Sequence, residues 1–273
     1  MNAESKEIFI PGACGRIQAK YFKSKQQGAS VALVLQPHPQ YGGTMNNRIT
    51  YETYNCFYKN NFSVIRINFR GVEKSDGVFD NGQGELSDAA AALDWIEKEN
   101  PGYSQCWVSG FSFGSLICMQ LIMRRPEVNK FITISPQPNL YDFTFLSPCP
   151  ISGIIIIGKN DELVQPDSIL NLKKRLSMQK NIEVKFDTIV NANHFYKNKE
   201  KNLETYDDAF IESGKFAQKI MDTIKELGIS NNTYVIFFTD HGTGNGDRFG
   251  ERNYGVFLYE ETLRTFYLFV GPE

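Results

Sequence analysis

The chain has 273 residues, enough for one large α/β domain or about two smaller ones. Apolar residues make up 41 % and charged residues 22 %, which excludes an intrinsically disordered chain. The 29 basic and 31 acidic residues leave a net charge of −2, without the positive surplus that an electrostatic nucleic-acid binder uses.

Two short alternating stretches, 7–11 and 16–22, predict an antiparallel hairpin at a sheet edge. Apolar strand-like runs follow at 31–35, 62–69, 106–109, 131–135, 154–158 and 182–190. Amphipathic helical patterns lie between and after them, at 46–59, 85–99, 112–124, 167–178 and 203–227. Strands alternating with helices imply a mostly parallel central sheet with helices on both faces. Two more strand-like runs, 233–238 and 265–270, come after the last helix.

Five cysteines, Cys14, Cys56, Cys106, Cys118 and Cys149, are scattered with no C-x-x-C pair. That spread fits reduced thiols better than a disulfide framework or a zinc cluster, with Cys106 and Cys118 as small core residues. The N-terminus shows no charged-then-apolar signal pattern. The longest apolar runs, such as 31–35 and 154–157, fall far short of the ~20 residues of a membrane span. A cytoplasmic protein with no membrane partner is expected.

Gly110-Phe111-Ser112-Phe113-Gly114 is a G-x-S-x-G placed between a predicted strand and a predicted apolar helix. A strand-turn-helix elbow needs those glycines for close backbone approach, and it presents the Ser112 hydroxyl at a helix N-terminus, where an oxyanion is favoured. A serine needs a base held by an acid, and in this arrangement the order is Ser, Asp or Glu, then His. Of three histidines, His194 directly follows the run 182–190, and Asp161 directly follows 154–158. Both sit at C-terminal strand ends, the edge where such sheets place their sites. Glu162, one residue further on, and Asp142, in the preceding loop, are weaker acid candidates.

The backbone N–H of Phe113 is one expected oxyanion donor, and Gln40 or Tyr41, in the loop after 31–35, the other. His38 reads as bracing that loop. Arg70 and Glu85 read as loop and helix-start charges. Only 17 residues, 136–152, separate two successive strands, too few for a helical cap. An open cleft lined by Tyr41, Phe111, Phe113, Tyr141 and Phe143 follows, suited to small or short-acyl esters.

Six motifs occur in order: Gln36-Pro-His-Pro-Gln-Tyr-Gly-Gly-Thr-Met-Asn-Asn, Asn68-Phe-Arg-Gly-Val, Phe79-Asp-Asn-Gly-Gln-Gly-Glu, Gly110-Phe-Ser-Phe-Gly, Tyr141-Asp-Phe and Asn193-His-Phe. Over about 5–205 the chain resembles the small, cap-less bacterial α/β-hydrolases related to dienelactone hydrolases and often described as carboxylesterases. The resemblance implies the α/β-hydrolase fold and Ser112, Asp161 and His194 as a triad. Gln36 departs from it, since many relatives carry histidine there.

From Tyr206 onward the charge changes, with 11 acidic and 6 basic residues against 20 and 23 before it. This stretch, with its helix, the Thr239-Asp240-His241-Gly242 turn and Leu258-Tyr-Glu-Glu, resembles part of the sulfatase branch of the alkaline-phosphatase superfamily. The resemblance implies that Asp240 and His241 would help hold a divalent metal, but that family's C-x-P-x-R motif is absent and Cys149-Pro-Ile has no matching arginine. The expected organisation is an α/β-hydrolase domain over 1–227, its last helix supplied by the segment from 206, and a truncated sulfatase-like αβ appendage over 228–273.

The function expected is cleavage of small carboxylic esters by Ser112, His194 and Asp161, with a small ester as partner and neither metal nor organic cofactor. A homo-oligomer is compatible with the sequence. Two rivals remain. A non-catalytic binding or assembly protein with a disabled core would fold and never acylate. A metal-dependent sulfatase or phosphatase acting through the tail would respond to chelators and be indifferent to Ser112→Ala.

Overall fold

The computed structural model describes residues 5–146, 148–179 and 182–196, together with 222, 235–238 and 267–270. The backbone divides into two compact units, Met1–Lys199 and Glu200–Glu273.

The first unit is built on an eight-stranded sheet in the order β1-β2-β4-β3-β5-β6-β7-β8. The strands are β1 (Lys6–Gly12), β2 (Gly15–Phe22), β3 (Val31–Leu35), β4 (Ser63–Ile67), β5 (Cys106–Phe111), β6 (Lys130–Ile134), β7 (Gly153–Gly158) and β8 (Val184–Ile189). β1 and β2 form the expected hairpin, β2 pairs antiparallel with β4, and every later pairing is parallel. The sheet is the one the α/β-hydrolase resemblance implies. β3 and β4 are buried along their whole length, which is why both read as unbroken runs instead of alternating ones.

Helix α1 (Arg48–Lys59) covers one face, where Tyr54 and Phe57 pack with Ala32, Val34 and Val64. Helices α2 (Gln83–Glu99), α3 (Phe113–Ile122) and α4 (Pro166–Ser177) contribute to the larger core on the other. There Ala89, Leu93 and Ile96 of α2, Ile117 and Leu121 of α3, and Leu172 and Leu176 of α4 close over Leu33, Ile65, Val108 and Phe131. Among the described residues no helix lies between β6 and β7, and the described part of the span 136–152 carries no helical cap.

Arg70 and Glu85 are more deeply placed than loop charges. Arg70 is 5 % exposed and grips Asp88 of α2 through Nη2 (2.8 Å), Nε (3.1 Å) and its backbone N–H (2.9 Å). Glu85 is fully buried and accepts the N–H groups of Asp80 and Gly82, closing the start of α2. A buried bidentate pair loses most when one partner goes, because the remaining charge is left without compensation. Asp88→Asn is therefore expected to lower stability by about 2–3 kcal/mol, measured as the shift in urea midpoint with an unchanged slope.

In the second unit, β9 (Val235–Phe238) and β10 (Tyr267–Val270) pair antiparallel, with Val235 opposite Val270. The helix expected over 203–227, residue 222 apart, and the Asp240–His241 pair lie outside the described residues. Among the described residues, no helix is long and apolar enough to cross a membrane. All five cysteines are free thiols, three of them buried.

Candidate active site

The elbow is built where β5 turns into α3. Ser112 sits between them at φ 55° and ψ −114°, a conformation that non-glycine residues avoid. Its N–H donates to the Ile134 carbonyl (2.8 Å), and the Ser115 hydroxyl lies 2.9 Å from the carbonyls of Gly110 and Ile134. These bonds hold the strained residue between β5 and β6. Ser112 also caps α3, so its side chain stands at the positive end of that helix.

The three expected triad side chains meet. His194 Nε2 lies 3.0 Å from Ser112 Oγ, and its Nδ1 lies 2.8 Å from Asp161 Oδ2. The other oxygen of Asp161, Oδ1, accepts the N–H groups of Leu163 (3.0 Å) and Val164 (3.2 Å). The carboxylate is thus satisfied on one oxygen by backbone and on the other by imidazole. Asp161 and His194 side chains are 4 % and 2 % exposed, so water does not compete for this contact. Asp142 stands apart and fully exposed, bonded to the N–H and hydroxyl of Thr144.

The loop that carries His194 is fastened from three sides. Asn160 N–H donates to the Ala192 carbonyl (2.9 Å), which ties it to the Asp161 turn. The Tyr196 hydroxyl lies 3.1 Å from Ser135 Oγ and donates to the Ile156 carbonyl (3.1 Å), which ties it to the ends of β6 and β7. Burial pushes the Tyr196 phenol up to about 12, so it stays a donor. The imidazole itself packs against Phe111 (5.4 Å between ring centres) and Phe195 (5.1 Å).

On the opposite side of β5, the loop after β3 turns as a short 3-10 helix, Pro39–Tyr41. Gln36 is fully buried and spans this loop, donating to the Gly43 carbonyl (2.9 Å) and accepting the Phe69 N–H (3.2 Å). Here glutamine braces the turn with both ends of one carboxamide. His38 braces it too. Its Nδ1 accepts the Gln40 N–H, its carbonyl accepts the Tyr41 N–H, and its ring lies against Tyr41, Phe79 and Phe113. Burial lowers the His38 pKa, opposed by the Glu85 carboxylate, so the ring is neutral near pH 7. The two amides expected as the second oxyanion donor, Gln40 and Tyr41, are therefore already engaged within the turn. The Phe113 N–H, at the first position of α3, has no acceptor among the described residues, nor does the N–H of His38.

The expected cleft lining needs correction. Phe111 and Phe143 are 1 % and 3 % exposed: Phe111 ends β5 beneath His194, and Phe143 stacks with Phe145 in the core. Phe113 is buried against Phe69, Phe79 and Tyr141, while Tyr141 keeps part of its surface. Tyr41, also expected in the lining, is exposed, and Leu140, Leu163 and Phe195 are further exposed apolar side chains on the loops at this edge. Gln137, which the sequence reading passed over, places Oε1 3.1 Å from Ser112 Oγ. The signal available was its position between Pro136 and Pro138, directly after a strand of the parallel sheet.

Residues 38–150 match the family model of the alpha/beta hydrolase fold. An uncharacterized protein of Rickettsia prowazekii is 48 % identical over 197 residues, 71 % of this chain and 83 % of that protein. The crystal structure of a candidate α/β-hydrolase of unknown function from Agrobacterium tumefaciens is 44 % identical, with a TM-score of 0.69 over 78 % of this chain and 97 % of that one. A lidless α/β serine hydrolase from Xanthomonas campestris is 25 % identical, with a TM-score of 0.64 over 74 % and 91 % of the two chains.

Proposed function

Because the chain belongs to the α/β-hydrolase family, we propose that it is a serine hydrolase of small carboxylic esters working through an acyl-enzyme. The observation that carries the reading is the unbroken chain of contacts from Ser112 Oγ through His194 to Asp161, all three buried. His194 Nδ1–H donates to Asp161, which leaves Nε2 as the acceptor for the Ser112 proton. As Oγ bonds to the ester carbonyl carbon, its proton passes to Nε2 and the carbonyl oxygen becomes an oxyanion. The Phe113 N–H and, in our reading, the His38 N–H receive that charge. Collapse of the intermediate expels the alcohol, which takes the proton from Nε2. A water molecule then gives a proton to His194 and attacks the acyl carbon; collapse breaks the bond to Ser112 Oγ, which takes that proton back from Nε2, and the acid is released.

The absence of a helix between β6 and β7 among the described residues, and the apolar side chains on the surrounding loops, favour short, uncharged acyl groups. Five unpaired cysteines suit action in the cytoplasm. The reaction proposed here draws on residues of the first unit, Met1–Lys199.

The test is intact mass after treatment with a fluorophosphonate probe. One adduct is expected on the wild type and none on Ser112→Ala. A folded wild type that takes no adduct would overturn the reading in favour of a disabled core. Hydrolysis that survives Ser112→Ala but is abolished by a chelator would point to the tail instead.

A further inference from the structure

The Ser112 hydroxyl has one proton and two neighbours that could accept its hydrogen bond. His194 Nε2 is 3.0 Å away and Gln137 Oε1 3.1 Å away. Gln137 is 6 % exposed, its Oε1 bonds to the nucleophile, and no acceptor among the described residues takes its Nε2. A structural glutamine would be tied to backbone, as Gln36 is. The Gln137 loop is held without its side chain: its carbonyl accepts the N–H groups of Leu140 and Tyr141, prolines flank it, and Ser135 N–H donates to the Ile156 carbonyl. Among the described residues, the carboxamide is thus the polar side chain outside the triad that is bonded to the reacting oxygen.

Acylation removes its partner. When Oγ bonds to the carbonyl carbon, the proton leaves with His194 and Oγ becomes an ester oxygen, which donates nothing and accepts weakly. Under a bound substrate that excludes water, the carboxamide then has an acceptor and two donors to satisfy. A purely hydrocarbon substrate leaves them unmet, whereas a hydroxyl beside the scissile bond both donates to Oε1 and accepts from Nε2. Resting on the serine-hydrolase reading above, we propose that Gln137 is a specificity-determining residue that selects esters bearing a hydroxyl next to the scissile bond. Such a hydroxyl can belong to the acyl group or to the alcohol. Gln137 and His194 approach Ser112 from the β6-to-β8 side of the sheet, away from the loop after β3.

The experiment compares kcat/KM within two matched pairs in which a methyl replaces a hydroxyl: methyl glycolate against methyl propionate, and 2-hydroxyethyl acetate against propyl acetate. Wild type is expected to favour the hydroxylated ester of one pair on the order of ten-fold beyond the ratio of their hydroxide-catalysed rates, the scale of one buried hydrogen bond. The pair that responds tells whether the group is on the acyl or the alcohol side. Gln137→Met, which keeps the chain length without the carboxamide, should bring that ratio down to the one the two esters show in hydroxide-catalysed hydrolysis, with Gln137→Ala as the second variant. Using ratios removes any general loss of rate. Fluorophosphonate labelling of the same wild-type preparation separates the two readings: without an adduct the hydrolase reading fails and this one with it. A labelled wild type that shows no hydroxyl preference in either pair, or a preference that both variants retain, overturns the role of Gln137 alone.

Discussion

Ser112→Ala is expected to lower kcat for a short-chain ester by about 10⁴–10⁶-fold, and Asp161→Asn by about 10⁴-fold, each in a protein that still folds. The second figure follows from the hydrogen bonds of Asp161. Oδ1 accepts from the N–H groups of Leu163 and Val164, so an asparagine there must keep its carbonyl oxygen facing those amides. Its NH₂ group then points at His194 Nδ1. That nitrogen becomes an acceptor, the ring proton moves to Nε2, and Nε2 faces Ser112 Oγ with a proton it cannot exchange for another. The imidazole remains in place, gripped between Phe111 and Phe195, but in the wrong tautomer. Since the three groups act as one unit, the double variant should be about as slow as Ser112→Ala alone. Steady-state rates on a nitrophenyl acetate decide the matter. An Asp161→Asn variant retaining more than about a tenth of the rate would mean that Asp161 does not orient the base.

What the sequence disclosed of this site, and what it hid, divides along physical lines. Ser112, Asp161 and His194 each follow a strand-like run directly, unbroken and apolar in the deeply buried β5, and still marked by Val, Ile and Phe in the less buried β7 and β8. The elbow adds glycines at fixed offsets, because no other residue allows the approach seen between β5 and α3. Burial within loops has no such periodic mark. Phe143 lies in the span 136–152 and reads as lining, yet it stacks on Phe145 in the core. Arg70 and Asp88 are 18 positions apart, so neither the pairing nor its burial shows in the local pattern. Gln40 and Tyr41 occupy the right loop for an oxyanion donor, but their amides are consumed by the turn that His38 organises. Gln137 and Tyr196 were missed for a related reason. Their roles depend on the atoms that neighbouring strand ends bring to them, Ser112 Oγ in one case and the Ile156 carbonyl in the other.

Gly110→Ala is expected to cost about 4–5 kcal/mol, at the upper end for a single substitution, and to lower Tm by about 10–15 °C in a chain of this size. A Cβ at Gly110 would lie 2.0 Å from the Gly114 carbonyl oxygen, 2.3 Å from its carbon and 2.8 Å from the Ser115 nitrogen. All of these are backbone atoms, so no side chain can swing aside to make room. The first turn of α3 cannot retreat either, because Gly114 is itself wedged where a Cβ would lie 2.5 Å from the Gln36 carbonyl and 2.7 Å from that of Leu35. Moving α3 would also pull on the Ser115 hydroxyl contacts with Gly110 and Ile134 and on the positive φ of Ser112. Gly102 supplies the control. It too has a positive φ, 77°, but a Cβ there would meet nothing within 4 Å, so alanine should cost only the about 1–2 kcal/mol of left-handed backbone strain. Thermal unfolding of the two variants side by side therefore separates steric exclusion from conformational strain. A Gly110→Ala protein no less stable than Gly102→Ala would show that the β5–α3 turn yields, and with it the argument that the elbow holds Ser112 rigidly before His194.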